Sequence, residues 1–193
     1  MEPFLLSVLL IVLQLAFLLV IIIATAIVCA GAISVYLDVP FVPTPHRYRR
    51  IIDKALRIAP GDTIYELGSG TGGLLIELAR KYPNATFVGI ELNVLLYAYA
   101  RALKRLSGNP HNLLFRRENF FDTDLSKPDK IYAYLLNSVM DELLPKLERE
   151  THGVRFVSRA FQFKDVQPAE TIRLSSIPGA HGEHMLYIYE VTK

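Results

Sequence analysis

The run Thr63-Ile-Tyr-Glu-Leu67 reads as a buried strand and feeds straight into Gly68-Ser69-Gly70-Thr71-Gly72-Gly73. Leu74–Tyr82 then repeats its apolar residues at helical spacing. Strand, glycine loop and helix in that order form a nucleotide-binding corner. Glycines let the backbone turn tightly beside a ligand, and a helix start offers unpaired N–H groups. A second strand-like run, Ala85–Glu91, ends in a carboxylate eighteen residues beyond Gly73. A carboxylate at that edge can accept hydrogen bonds from both hydroxyls of a ribose. The chemistry these residues suit is the holding of a nucleoside-bearing cofactor.

Two cofactor types fit a glycine loop. Gly68, Gly70 and Gly73 match the dinucleotide pattern G-x-G-x-x-G. Glu66-Leu-Gly68-Ser69-Gly70-Thr-Gly72 matches acid-x-Gly-x-Gly-x-Gly in full, the pattern of S-adenosylmethionine folds. Length favours the second. A nicotinamide enzyme usually carries a second domain for its substrate, and the chain beyond Asp38 leaves no room for one.

The remaining elements must position that corner. After Glu91 the pattern predicts a helix over 94–106, strands over 113–117 and 130–136, a helix over 140–150 and a strand over 154–158. Alternating residues at 171–176 and 184–192 predict an antiparallel pair. The fold class expected is α/β: a Rossmann-like sheet with a C-terminal antiparallel hairpin, preceded by one N-terminal transmembrane helix. That helix follows from charge. No Asp, Glu, Lys or Arg stands between Glu2 and Asp38, and the run from Phe4 to Ile33 is apolar almost throughout. A bilayer core takes about 20 helical residues. A cleaved signal would be shorter and would begin with basic residues. Cys29, the single cysteine, lies inside the run, so no intrachain disulfide can form.

The chain thus divides into an anchor (1–37), a proline-rich linker (38–45) and a cofactor-binding domain (46–193). Three prolines in Pro40–Pro45 make the linker stiff and extended. His46–Ala59 reads as an amphipathic helix with Tyr48, Ile51, Ile52, Ala55 and Ala59 on one face. Arg47, Arg50, Lys54 and Arg57 form a basic stripe, either solvated or against anionic headgroups of membrane lipid. With 21 Lys+Arg against 19 Asp+Glu, the chain has no nucleic-acid footprint. The basic flank lies after the apolar run, so the positive-inside rule predicts a single-pass protein with its C-terminal domain cytoplasmic. S-adenosylmethionine is made in that compartment.

The chain resembles the class I methyltransferases. Within them it resembles the membrane-anchored protein-lysine methyltransferases, typified by mitochondrial enzymes acting on the c-type ring protein of ATP synthase and on the adenine nucleotide translocase. The resemblance runs from Phe41 to about Pro168. It rests on Phe41-Val-Pro-Thr44, Pro60-Gly-Asp62, Glu66-Leu-Gly-Ser-Gly70, Gly89-Ile-Glu-Leu-Asn93 and Asp124-Leu-Ser-Lys127. It continues through Val139-Met140, Lys146-Leu147 and Arg159-x-Phe161-x-Phe163. It implies S-adenosyl-L-methionine as cofactor, no metal, and a protein lysine as acceptor, on a small integral membrane protein. It also implies roles: Glu66, Gly68, Ser69, Gly70 and Gly72 around the methionine and ribose end, Glu91 on the ribose, and Asn119 near the adenine. Relatives often carry an acid where Thr71 stands. They also usually carry a proline before the Val-Met pair, where this chain has Leu136-Asn137-Ser138. Asn137 there either orients the acceptor amine through its carbonyl or caps the following helix, as Ser138 would equally. A lipid or small lipophilic acceptor fits the same anchor, as does a non-catalytic protein that binds the cofactor.

Overall fold

The computed structural model describes residues 2–36, 43–174 and 184–191, with side chains in the first helix from Leu6 to Val28. Most of the proline-rich linker, the side chain of Cys29 and the outer ends of the two C-terminal strands lie outside the described residues. Residues 1–41 and 42–193 form two compact units. The first is the helix α1 (Glu2–Tyr36), in which Leu6–Val28, 23 residues of mean hydropathy 3.2, is long and apolar enough to cross a membrane.

The second unit is built on a seven-stranded sheet. Its elements are α2 (His46–Leu56), β1 (Thr63–Leu67), α3 (Gly73–Lys81), β2 (Thr86–Ile90), α4 (Val94–Leu106) and β3 (Leu113–Arg116). They continue with β4 (Lys130–Ala133), α5 (Asn137–Glu150), β5 (Val154–Arg159), β6 (Glu170–Arg173) and β7 (Met185–Val191). The strand order is β3-β2-β1-β4-β5-β7-β6. The first five strands run parallel, and β7 is antiparallel to both β5 and β6. The order reverses between β1 and β4, so the carboxyl ends of β1, β2 and β4 meet at the switch point where open α/β sheets bind ligands.

Residues alternate across the sheet as the pleat requires. Val157 joins the core shared with Tyr48 and Ile52 of α2, Leu75 of α3 and Ala100 of α4. Its neighbour Ser158 faces the other way, against Met140 of α5. Glu66, Tyr132 and Val157 are in register across β1, β4 and β5, so they share the α2 face. Arg155 ties that face together, because its Nε donates to the Ala55 carbonyl at 2.7 Å and its guanidinium pairs with Glu170 and Glu190.

Several boundaries differ from the sequence expectation, each for a local reason. α2 stops at Leu56 because Arg57 takes a left-handed conformation (φ 51, ψ 49). β4 stops at Ala133, opposite the end of β1, rather than at Leu136. α5 starts at Asn137, three residues early. The Met140 amide donates to the Leu136 carbonyl at 2.9 Å, which makes Leu136 the cap position. Neither Asn137 nor Ser138 therefore caps this helix.

Candidate active site

The glycine loop leaves β1 with the Gly68 and Ser69 amides both donating to the Ile90 carbonyl at 2.9 Å. This fastens the loop to the end of β2. Gly72 caps α3 in a left-handed conformation (φ 73). A Cβ there would stand 2.2 Å from Cζ of Phe115, so no other residue fits without displacing that ring. The loop is thereby held at the carboxyl edge of the sheet.

Glu91 lies one residue past β2 and is buried. Its Oε2 accepts from the Gly70 amide and its Oε1 from the Asn93 amide, both at 2.8 Å. Burial raises its pKa, and the backbone donors of Asn93 and Gly70 work against that rise. The Leu92 backbone donor adds to these two, and a carboxylate with about four acceptor positions still has room for a ribose hydroxyl. Asn93 then caps α4, its Oδ1 accepting from Leu95 at 2.9 Å and Leu96 at 3.2 Å. Sequence reasoning gave Asn93 no role. Asp, Asn, Ser or Thr just before an apolar helical run is the usual signal for a cap.

Glu66 and Ser69 are built differently. Glu66 Oε2 and Ser69 Oγ are buried and have no hydrogen-bond partner among the described residues. Burial pushes the Glu66 carboxyl up to about 8. The charge of Arg49 pulls it down and that of Glu91 adds to the rise. Arg49, from α2, donates through Nη1 to the Gly73 carbonyl and to Glu77, each at 3.1 Å. It therefore lies over the start of α3. Tyr132, in register with Glu66, is buried with its hydroxyl 3.5 Å from Thr44 Oγ1, and burial raises its pKa. Sequence reasoning gave no role in the site to Tyr132, Arg49 or Thr44. Nothing in their spacing connects them to a loop so far along the chain.

The two asparagines lie farther out. Asn119 is half-buried after β3, and its Oδ1 accepts from the Phe121 amide at 3.0 Å, shaping the turn that carries Phe120 and Phe121. Asn137 is exposed at the first residue of α5, beyond the end of β4. The basic stripe of α2 is exposed as expected. Arg57 pairs with Glu170 at 3.1 Å and Arg47 lies over the Tyr48 ring, whereas Arg50 and Lys54 pair with nothing among the described residues.

These features define a class I methyltransferase fold whose carboxyl edge fits S-adenosylmethionine. The orphaned Glu66 oxygen suits the cofactor's ammonium group, and Glu91 suits its ribose. Residues 66–170 match the family model described as the ANTKMT methyltransferase domain, and the chain belongs to that family. It is 30% identical over 154 residues to a protein-lysine N-methyltransferase of Saccharolobus islandicus, covering 79% of this chain and 94% of that one. It is 28% identical over 137 residues to an adenine nucleotide translocase lysine N-methyltransferase of Mus musculus, covering 70% and 59%. Among solved structures it is similar to an RNA methyltransferase from Salinibacter ruber in complex with S-adenosyl-L-homocysteine. The TM-score is 0.70 at 29% identity, covering 79% of this chain and 95% of that one. The cofactor of this chain is S-adenosylmethionine.

Proposed function

We propose that this S-adenosylmethionine-dependent protein-lysine methyltransferase is a single-pass membrane protein. In this reading its acceptor is a lysine on another membrane protein, and its catalytic domain faces the cytoplasm. The observation that carries the reading is the apolar helix Leu6–Val28 ahead of a domain of this family. The relative from Mus musculus is named for its acceptor, the adenine nucleotide translocase, and two others for a component of ATP synthase, which supports a membrane-bound target. The exposed cations Arg47, Arg50, Lys54 and Arg57 support contact with lipid headgroups. Exposed Leu92, Val94, Leu95 and Tyr99, next to Glu91, give the mouth of the site an apolar rim.

In this reading Glu66, Gly68, Ser69, Gly70 and Gly72 hold the methionine and ribose end of the cofactor, Glu91 binds its ribose, and Asn119 lies beside its adenine. The bound cofactor supplies an electrophilic methyl group on a sulfonium. The acceptor lysine must present an uncharged amine, and the chain must hold that amine in line with the methyl group. A free lysine has a pKa of about 10.4. The amino terminus of α5 carries no side-chain cap, and its positive end disfavours an ammonium at Asn137. Asn137 would orient the neutral amine through its carbonyl oxygen, and positioning then lowers most of the barrier.

The test is to incubate membranes with labelled S-adenosylmethionine and either the full chain or a form lacking residues 1–37. Label should enter protein. The deletion should cut labelling of intact membranes far more than labelling of detergent extracts. Label confined to lipid, or equal loss in both preparations, would overturn the membrane-protein acceptor.

A further inference from the structure

Arg159 ends β5 and is 4% exposed. Its guanidinium carbon lies 4.2 Å from the centroid of the Tyr134 ring and 5.3 Å from that of Tyr48. Its Nε and Nη1 are buried and donate to nothing among the described residues. Burial on this strand does not by itself deny an arginine its partners. Arg155, four residues earlier on the same face, is also buried and is paired with Ala55, Glu170 and Glu190. The rings around Arg159 offer π-faces that favour a cation without consuming its N–H donors. The ionisable side chains facing it are phenols: Tyr132, on whose ionisation its charge acts, together with Tyr134 and Tyr48. No described carboxylate forms a salt bridge with it. The turn that follows is held firmly. Buried Ala160 takes φ 69, its amide donates to the Met185 carbonyl at 2.9 Å, and Ser158 Oγ donates to the Phe161 carbonyl.

A guanidinium cannot shed its charge, so burial without an acceptor leaves it short of a counter-ion. Its place says where that ion comes from. Glu66, Tyr132 and Val157 are in register on the α2 face, and Arg159 stands on the same face two residues nearer the carboxyl edge. The stranded cation and the stranded carboxylate of Glu66 thus belong to one edge of one site. We propose that Arg159 is a carboxylate receptor of this methyltransferase. A guanidinium binds a carboxylate through two parallel N–H···O bonds, a geometry that a lysine does not reproduce. The methionine end of the cofactor carries one such group, and an acidic side chain beside the acceptor lysine is the other source.

The experiment uses the full chain in detergent, as wild type, Arg159→Lys and Arg159→Met. Calorimetry measures binding of S-adenosylhomocysteine and of methylthioadenosine, which keeps the adenosine and sulfur but lacks the amino-acid end. With the cofactor as source, Arg159→Met weakens S-adenosylhomocysteine by about tenfold or more and leaves methylthioadenosine within about twofold, with Arg159→Lys between. With the acceptor as source, S-adenosylhomocysteine binding is unchanged. The preference in KM for a lysine peptide with a neighbouring Glu over the same peptide with Gln is then lost in Arg159→Met. Either way the ligand-free Arg159→Met chain melts at or above the wild-type temperature, because an unpaired buried charge has gone. Unchanged cofactor binding with no change in peptide preference overturns the proposal. Equal loss of both adenosine ligands with a lower melting temperature also overturns it, since Arg159 would then be packing alone. The cofactor arm needs no acceptor, so its failure is separate from failure of the membrane-acceptor reading.

Discussion

The β2 side of the site and the β4–β5 side line one sheet edge, yet their polar groups are treated in opposite ways. On the β2 side Glu91 accepts from two backbone amides, Asn93 caps α4, and the Gly68 and Ser69 amides share the Ile90 carbonyl. On the other side Glu66 Oε2 and two nitrogens of Arg159 are buried without partners among the described residues. The polar groups of the first half are paired within the chain itself. The second half carries an unfavourable balance of charge that a zwitterionic ligand would correct. In the proposed reading the ribose end is shaped by the protein's own bonds, and the methionine end is completed by what binds there.

The sharpest way to break the contrast is to remove the close fit of the loop. Gly72→Val sets a branched side chain at φ 73 and against Phe115. The expected cost is about 3 kcal/mol or more, seen as loss of a cooperative melt in the full chain. Next in size is Glu91→Ala. It deletes the acceptor of two charge-assisted bonds, each worth about 1.5–3 kcal/mol. The ligand-free chain should melt lower and S-adenosylhomocysteine should bind at least about 100-fold more weakly. Normal affinity in this variant would remove Glu91 from the ribose.

Glu66→Gln should act with the opposite sign. The native carboxyl is raised from 4.5 to about 8. Between those values the native state holds a proton that the unfolded state has lost, so stability falls as pH rises through that window. Near pH 4 the variant should match wild type, and at pH 8 it should melt higher. With Glu66 holding the cofactor's ammonium group as proposed, wild-type affinity for S-adenosylhomocysteine should rise from pH 6 towards 8 and the variant's should stay low and flat. A melting temperature lower at pH 8 in the variant would mean that Glu66 already has a partner. The smallest effects belong outside the contrast. Asn119→Ala should cost about 1 kcal/mol through its turn, and Arg50→Ala or Lys54→Ala should stay within about 0.5 kcal/mol in detergent.

The contrast also follows what the sequence could show. The strand, glycine loop and Glu91 were legible because the chemistry is contiguous, with each residue's neighbours in the chain also its neighbours in space. The class of fold followed from alternating elements and a final antiparallel pair, whereas the place of β7 between β5 and β6 was not read from the sequence. The second role of Glu91, tying down Gly70, was hidden because its partner is a backbone amide with no letter of its own. Arg159 was visible as part of a motif but not as a site. Its surroundings come from Tyr48 on α2 and Tyr134 after β4, and only the folded sheet brings them together. Asn137 read either as a residue that orients the acceptor amine or as a cap, and the second alternative fell because the chain starts α5 from Leu136.

The insertion of β7 between β5 and β6 has a consequence for how the chain leaves the ribosome. Both strands that β7 separates are made before it, and neither pairs with the other. Until 185–191 emerge, β5 has one open edge along Val154–Arg159, a stretch buried at every residue in the finished fold. An open strand edge presents unpaired N–H and C=O groups and invites pairing with the wrong chain. The helix α1 is translated long before this, so any partner that engages it meets a domain whose sheet is still unsealed. A stop codon or frameshift after β6 would therefore yield an aggregating product rather than a weakened enzyme.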